Sequence, residues 1–354
     1  MSKKLFDYCC CNPPYNEDFE NSGDNGKFAK PVYNQFMDAA YKVADKVEVI
    51  HPARFLFNAG STPKEWNEKM LSDKHFKVIS YEGNSSNVFP NTDITGGIAI
   101  TYRDDTKCYG AIGTFTAFDE LNSILKKVTS VSKAFFNSII SGRGAYRLSN
   151  KALEEHPEIV NIQSIGHKKD VGAGAFKKLA NIVFFEKKPN NDHEYVKYLG
   201  LIANKRIYYW GRQDYLDTPE SFYKYKIFIP KANGSGAIGE VIPTPLIGEP
   251  VVGQPLIGAT ETFLSVGSFD NSEEANNCLK YIQSKFTRVM LGILKITQDN
   301  TKDKWKYVPL QNFTSNSDID WSQSIHDIDQ QLYRKYGLSN DEINFIETHV
   351  KEMD

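Results

Sequence analysis

Asn12-Pro13-Pro14-Tyr15 closes the first hydrophobic stretch of the chain, and its reading decides the fold. Leu5, Phe6, Tyr8 and Cys9 to Cys11 precede it as a short apolar run. Such a run reads as a buried strand of the parallel type. Two prolines cannot continue a ladder, so the strand stops and the backbone turns stiffly. An amide and an aromatic ring are thereby set at the carboxyl end of a strand, where open α/β sheets bind ligands.

The chemistry suited to this cluster starts from an amino group conjugated to a purine ring. Its lone pair is delocalised, so it is a poor nucleophile. Two acceptors, the Asn12 side-chain oxygen and the Pro13 carbonyl, can hold both amino hydrogens and let the nitrogen pyramidalise toward an electrophile. Tyr15 can stack on the base, which is worth roughly 1–3 kcal/mol. Extruding a base from duplex DNA costs a few kcal/mol, so one or two aromatic faces offset most of it. No carboxylate or histidine base is required, and His51 reads as a structural histidine.

Asn-Pro-Pro-Tyr after a hydrophobic strand resembles the catalytic motif of N6-adenine DNA methyltransferases of bacterial restriction-modification systems. Further blocks carry the resemblance: Val49-Ile50-His51-Pro52-Ala53-Arg54-Phe55-Leu56, Asn87-Val88-Phe89-Pro90 and Gly97-Ile98-Ala99-Ile100-Thr101-Tyr102. Thr260 to Leu264 and Tyr307 to Phe313 are similar to the carboxyl-terminal half of the same branch. The resemblance implies catalytic roles for Asn12, Pro13, Pro14 and Tyr15, with Phe89 as the second face against a flipped adenine. It implies S-adenosylmethionine as methyl donor and double-stranded DNA as substrate. In the family the cofactor-binding half precedes the motif, and only eleven residues precede Asn12 here. The expectation is therefore a partial Rossmann-like methyltransferase sheet, with a partner polypeptide carrying the cofactor-binding half or a restriction subunit. The alternative is a catalytically incomplete DNA-binding, specificity or restriction subunit.

The chain has 354 residues, 40% hydrophobic and 24% charged, which is the composition of an ordinary globular protein long enough for two domains. No apolar run approaches the ~20 residues that span a bilayer, and the expected location is the cytoplasm. The five cysteines show no metal-ligand spacing and read as reduced, buried thiols, with no metal expected. The formal net charge of −2 excludes nothing, since a site-specific DNA enzyme can concentrate its basic residues on one face.

Downstream of Tyr15, residues 16–30 are polar and glycine-containing and read as a loop, or a lid, beside the turn. Pro31 then opens a helix whose apolar face is Val32, Phe36, Ala39, Ala40 and Val43. A strand over Val47 to Ile50 follows. Thr62-Pro63-Lys64-Glu65 reads as a capping box for a helix reaching Leu71. Strands over Phe76 to Tyr81 and Ile98 to Tyr102 complete a parallel or mixed sheet. The domains expected are a catalytic α/β half over 1–117, an α+β target-recognition domain over 118–315 and a helical tail over 316–354.

In the second of these, Arg143 and Arg147 in a glycine context suit phosphate or guanine contacts. Arg212, beside Tyr208 to Trp210, suits a stacking and phosphate surface. Lys231 and Asn233 are DNA contacts by the resemblance. Gly172-Ala173-Gly174 only superficially resembles a cofactor loop, because His167-Lys168-Lys169 stands where a strand is needed. Asp270 to Glu273 reads as the cap of one long helix running to Ile293, and Ser339 to Glu342 as the cap of the last helix.

Overall fold

The computed structural model describes residues 4–16, 30–58, 60–92, 94, 96–142, 144–234, 238, 245–295 and 298–353. The chain is mixed α/β and divides into two compact units, Met1–Asn122 and Ser123–Asp354. Among the described residues no helix is long and apolar enough to cross a membrane.

The first unit is built on four strands, β1 (Phe6–Cys11), β2 (Ala44–Pro52), β3 (Phe76–Glu82) and β4 (Ile98–Asp104), in the spatial order β1-β2-β4-β3. β1 and β2 are parallel, while β4 runs antiparallel to both β2 and β3, so the sheet is mixed. Helices α1 (Tyr33–Val43) and α2 (Lys64–Ser72) pack on the face that carries Val47, Val49 and Ala99. Tyr33, Met37 and Ala40 of α1 meet Trp66, Met70 and Leu71 of α2 in one core with Phe55 and Phe76.

Several expectations need correction. β1 is an edge strand and is not buried: Leu5, Phe6 and Tyr8 are 78%, 58% and 49% exposed. Only Cys9 and Cys11 lean on the core, because β2 pairs with one side of β1 and no described residue pairs with the other. Of the cysteines, all free, Cys278 alone is buried. The buried stripe of α1 is Tyr33–Met37–Ala40, which turns Phe36 outward. Thr62 does not cap α2. Pro63 occupies the cap position, and the Thr62 hydroxyl donates instead to the Asn67 side-chain oxygen at 2.7 Å.

In the second unit the strands Tyr195–Ile202 and Lys205–Arg212 form a hairpin closed by Ala203 and Asn204. Both turn residues have positive φ, as a tight two-residue hairpin requires. A second antiparallel sheet comprises Val251–Gly253, Tyr225–Pro230 and Phe263–Phe269. The long helix expected from Asp270 is two helices, Ser272–Gln283 and Lys285–Gly292, broken at Ser284. The last helix, Asn340–His349, carries the expected capping box of Ser339 and Glu342.

Candidate functional site

Strand direction assembles the candidate site. β1, β2 and β3 all point the same way, so their carboxyl ends lie along one end of the sheet. That end carries the turn Asn12–Tyr15 after β1, the 3₁₀ turn Ala53–Phe57 after β2, and the loop 83–97 after β3. Pro52 and Glu82 are both level with Ile98, whereas Cys11 is level with Val49. β1 thus stops early, and the proline turn crosses the end of the sheet beside a strand that continues.

Pro13 is buried and anchors the turn, while Asn12 and Pro14 are exposed. The Asn12 amide makes no hydrogen bond among the described residues, so its oxygen is available to a ligand. Tyr15 is half-buried against the core, and its carbonyl accepts from the Val32 N–H at 3.0 Å. This bond ties the turn to the start of α1. The Tyr15 hydroxyl is buried with no hydrogen-bond partner among the described residues, and burial raises its pKa. Of the expected lid over 16–30, residues 17–29 lie outside the described residues.

Phe89 is half-buried in a loop tied to itself. Its N–H donates to the Ser85 carbonyl at 2.8 Å, and its carbonyl accepts from the Thr92 hydroxyl at 2.7 Å. The Ser85 hydroxyl donates in turn to the Thr92 carbonyl at 3.0 Å. Sheet order makes β1 and β3 the two edges, so Asn12 and Phe89 start about three strand spacings apart, on the order of 14 Å.

His51 is structural, as expected. It is fully buried, its Nδ1 lies 2.9 Å from the Pro52 carbonyl, and its Nε2 lies 2.9 Å from the Thr101 hydroxyl. Its ring stacks on Tyr33 with centroids 5.8 Å apart. Burial lowers its pKa to about 4.

Residues 1–89 match the Eco57I restriction-modification methylase family. The matched segment runs from the first strand through Phe89 and so contains both the proline turn and the aromatic loop residue. A Mycoplasma pneumoniae protein described as an uncharacterized adenine-specific methylase is 31% identical over 94 residues, which cover 26% of this chain. The matched region is 22% of that curated relative's length.

Beyond the matched segment, the expected DNA contacts separate into two groups. Lys231 lines a cavity of about 330 Å³ in the second unit, together with Ser141, Gly142, Gly144 and Lys302. The structure thereby brings the glycine-flanked segment around position 143 and Lys231 to one hollow. Arg143 itself lies outside the described residues. Asn233 stands near by in sequence, but its amide is engaged in closing its loop on the Pro245 carbonyl at 2.7 Å. Arg147 is half-exposed, and its guanidinium lies 4.0 Å from the Asp170 carboxylate.

Arg212 differs from the surface role expected of it. It is 8% exposed, donating to Glu155 at 2.9 Å, the Tyr215 hydroxyl at 2.7 Å and Asp214 at 2.8 Å. A buried guanidinium held by two carboxylates at its rim is a framework element, since removing those partners would strand its buried charge. Lys302 is the cavity residue that sequence reasoning left undecided. It lies 71 positions from Lys231 and shares no motif with it, so only the fold could join them.

Among the described residues, the loop that the sequence offered for S-adenosylmethionine does not form a cradle for it. Gly172-Ala173-Gly174 is the one candidate loop from the sequence. No strand leads into it, and the helix it opens, Ala175–Lys178, is a single turn.

Proposed function

We propose that this chain is the base-handling component of a site-specific DNA adenine-N6 methyltransferase of a restriction-modification system. The observation that carries the reading is the family match over 1–89, whose segment includes an exposed Asn12 amide, without a hydrogen bond among the described residues, at the carboxyl end of a strand. Asn12 Oδ1 and the Pro13 carbonyl accept the two hydrogens of an extruded adenine amino group. Pro13 and Pro14 fix the direction of both acceptors, and Tyr15 and Phe89 offer aromatic faces to the base. As the nitrogen gains positive charge, preorganised oxygen acceptors stabilise it more than they stabilise the neutral amine.

The methyl donor in this reading is S-adenosylmethionine, held by a partner polypeptide that completes a Rossmann-like sheet. The four strands of the first unit then form its second half. The outer edge of β1, unpaired among the described residues, supports that arrangement because an open edge offers its ladder groups to another strand, and the exposed Leu5 and Phe6 support it because parallel strands are ordinarily covered on both faces. Target reading falls to the second unit, with Lys231 at the cavity as its first contact and Arg143, Arg147 and Asn233 as further contacts in this reading. The same open edge favours the second reading, in which the chain is a DNA-binding, specificity or restriction subunit without catalysis of its own.

The test is made on the tagged chain purified with whatever copurifies from its native host. N6-methyladenine in treated duplex DNA is measured by mass spectrometry. Wild type is expected to methylate, and Asn12→Ala to lose at least about 10²-fold of that rate while still binding DNA. Equal loss of DNA binding would make Asn12 structural. A wild-type preparation that binds DNA and S-adenosylmethionine yet leaves no N6-methyladenine would leave the second reading standing.

A further inference from the structure

The turn that follows β2 holds an arginine that the base-handling scheme does not use. In Ala53–Phe57 the side chains of Ala53, Phe55 and Leu56 are buried, while Arg54 between them is exposed. Its stem runs between two glycines, Gly60 and Gly96, each with φ of +91°. A Cβ on Gly96 would stand 2.4 Å from Arg54 Cγ, and one on Gly60 would stand 3.2 Å from Arg54 Cβ. The Gly96 approach is closed to a residue with a side chain, the Gly60 approach is tight, and the positive φ of both favours glycine, so two separate loops leave room for this one stem. The backbone beneath it is pinned as well. The Ala53 N–H donates to the Gly97 carbonyl at 2.9 Å, and Asn58, in the left-handed region, returns its N–H to Phe55 at 2.9 Å.

The arginine is thus aimed by its surroundings, yet among the described residues its guanidinium has no ion-pair or hydrogen-bond partner. Its charge reaches the Tyr33 phenol, where it opposes the upward push of burial. Arg54 also lies at the same end of the sheet as Asn12. β1 and β2 are adjacent, and Cys11 beside Val49 sets Asn12 level with Ile50. Arg54 is four positions beyond Ile50, so the two levels differ by at most about 13 Å along the strand direction. An arginine side chain and one nucleotide can bridge that span.

From this geometry we propose that Arg54 binds a DNA backbone phosphate next to the nucleotide whose base enters the Asn12 turn. The guanidinium fork matches two phosphate oxygens, and a stem already held in place loses little rotamer freedom on binding. Arg54 is then a substrate-binding residue that fixes how far the extruded nucleotide travels toward the turn. The proposal rests on the methyltransferase reading given above.

The experiment measures duplex-DNA binding of the purified chain with its partners by fluorescence anisotropy between 50 and 200 mM salt. Each phosphate contact contributes about 0.9 to the slope of log K against log salt. Arg54→Met is expected to lower the slope by about one, and Arg54→Lys, which keeps the charge, to restore most of it. A thermal melt of each variant checks that the fold is intact. If wild type binds DNA and Arg54→Met keeps the full slope, the assignment of Arg54 is wrong while the methyltransferase reading stands. If wild type binds no DNA at any salt, both fall together.

Discussion

At position 51 the protein keeps an imidazole neutral. The Pro52 carbonyl accepts from Nδ1–H, and Nε2 accepts from the Thr101 hydroxyl, a tautomer set by the network. Burial lowers the pKa to about 4, against 6.5 for a free histidine. Between those values the unfolded chain holds a proton that the folded chain does not. The stability contributed by neutral His51 is therefore fully present above pH 6.5 and lost as pH falls toward 4. The full effect is bounded by about 3 kcal/mol. His51→Gln is expected to remove most of this dependence, seen as a smaller change in the urea midpoint of the first unit between pH 6.5 and 4.5. An unchanged pH difference in the variant would show that other groups carry it. The structural role of His51 was legible, because it ends an apolar run and the chemistry needs no base. The role of Arg212 was not. Neighbouring aromatics suggested a surface, while its partner Glu155 stands 57 positions away, where local reading does not reach.

Helices Ser272–Gln283 and Lys285–Gly292 show what periodicity reads and what it misses. The apolar spacing through Leu279, Ile282, Phe286 and Val289 is continuous, so one helix was expected. Ser284 instead adopts an extended conformation and caps the second helix, its hydroxyl accepting from the Thr287 N–H at 3.2 Å. A distant carboxylate stabilises the break: Asp329 accepts from the N–H groups of Lys285 at 3.0 Å and Phe286 at 2.9 Å. These are orphan donors at a helix start, where an anion is favoured. Asp329→Ala strands both in a buried site and is expected to cost about 2–4 kcal/mol. Asp329→Asn, with one carbonyl oxygen left, should cost about half of that. Urea unfolding of the two variants checks the ranking, and equal losses would mean that charge, and not acceptor count, holds the break. β1 failed differently. Its composition fits a strand covered on both faces, and the reading of its type was sound. What composition cannot state is whether the residues around it supply that cover.

Across the whole molecule, the order of strands and helices in the first unit followed from local pattern, and the carboxyl ends that gather Asn12, Arg54 and Phe89 followed from strand direction. The second unit was less legible, because its cavity joins segments near 142, 231, 260 and 302 through long-range pairing. A net charge of −2 gives no hint of a nucleic-acid surface, so any such surface must be local. The cavity lining carries Lys231 and Lys302 against Glu261 and Asp303. Balanced charge suits contacts that combine phosphate attraction with donors and acceptors for base edges, and it argues against a purely electrostatic groove. Among the described residues neither lysine forms an ion pair, so both ammonium groups are available to phosphates. The double variant Lys231→Met, Lys302→Met is expected to lower the salt slope of DNA binding by about two and to weaken binding across sequences by a similar factor. Binding is measured on a randomised duplex pool before and after selection. If the variant keeps its slope but changes the selected sequence, the lysines read bases; if both stay unchanged, the cavity takes no part in DNA binding.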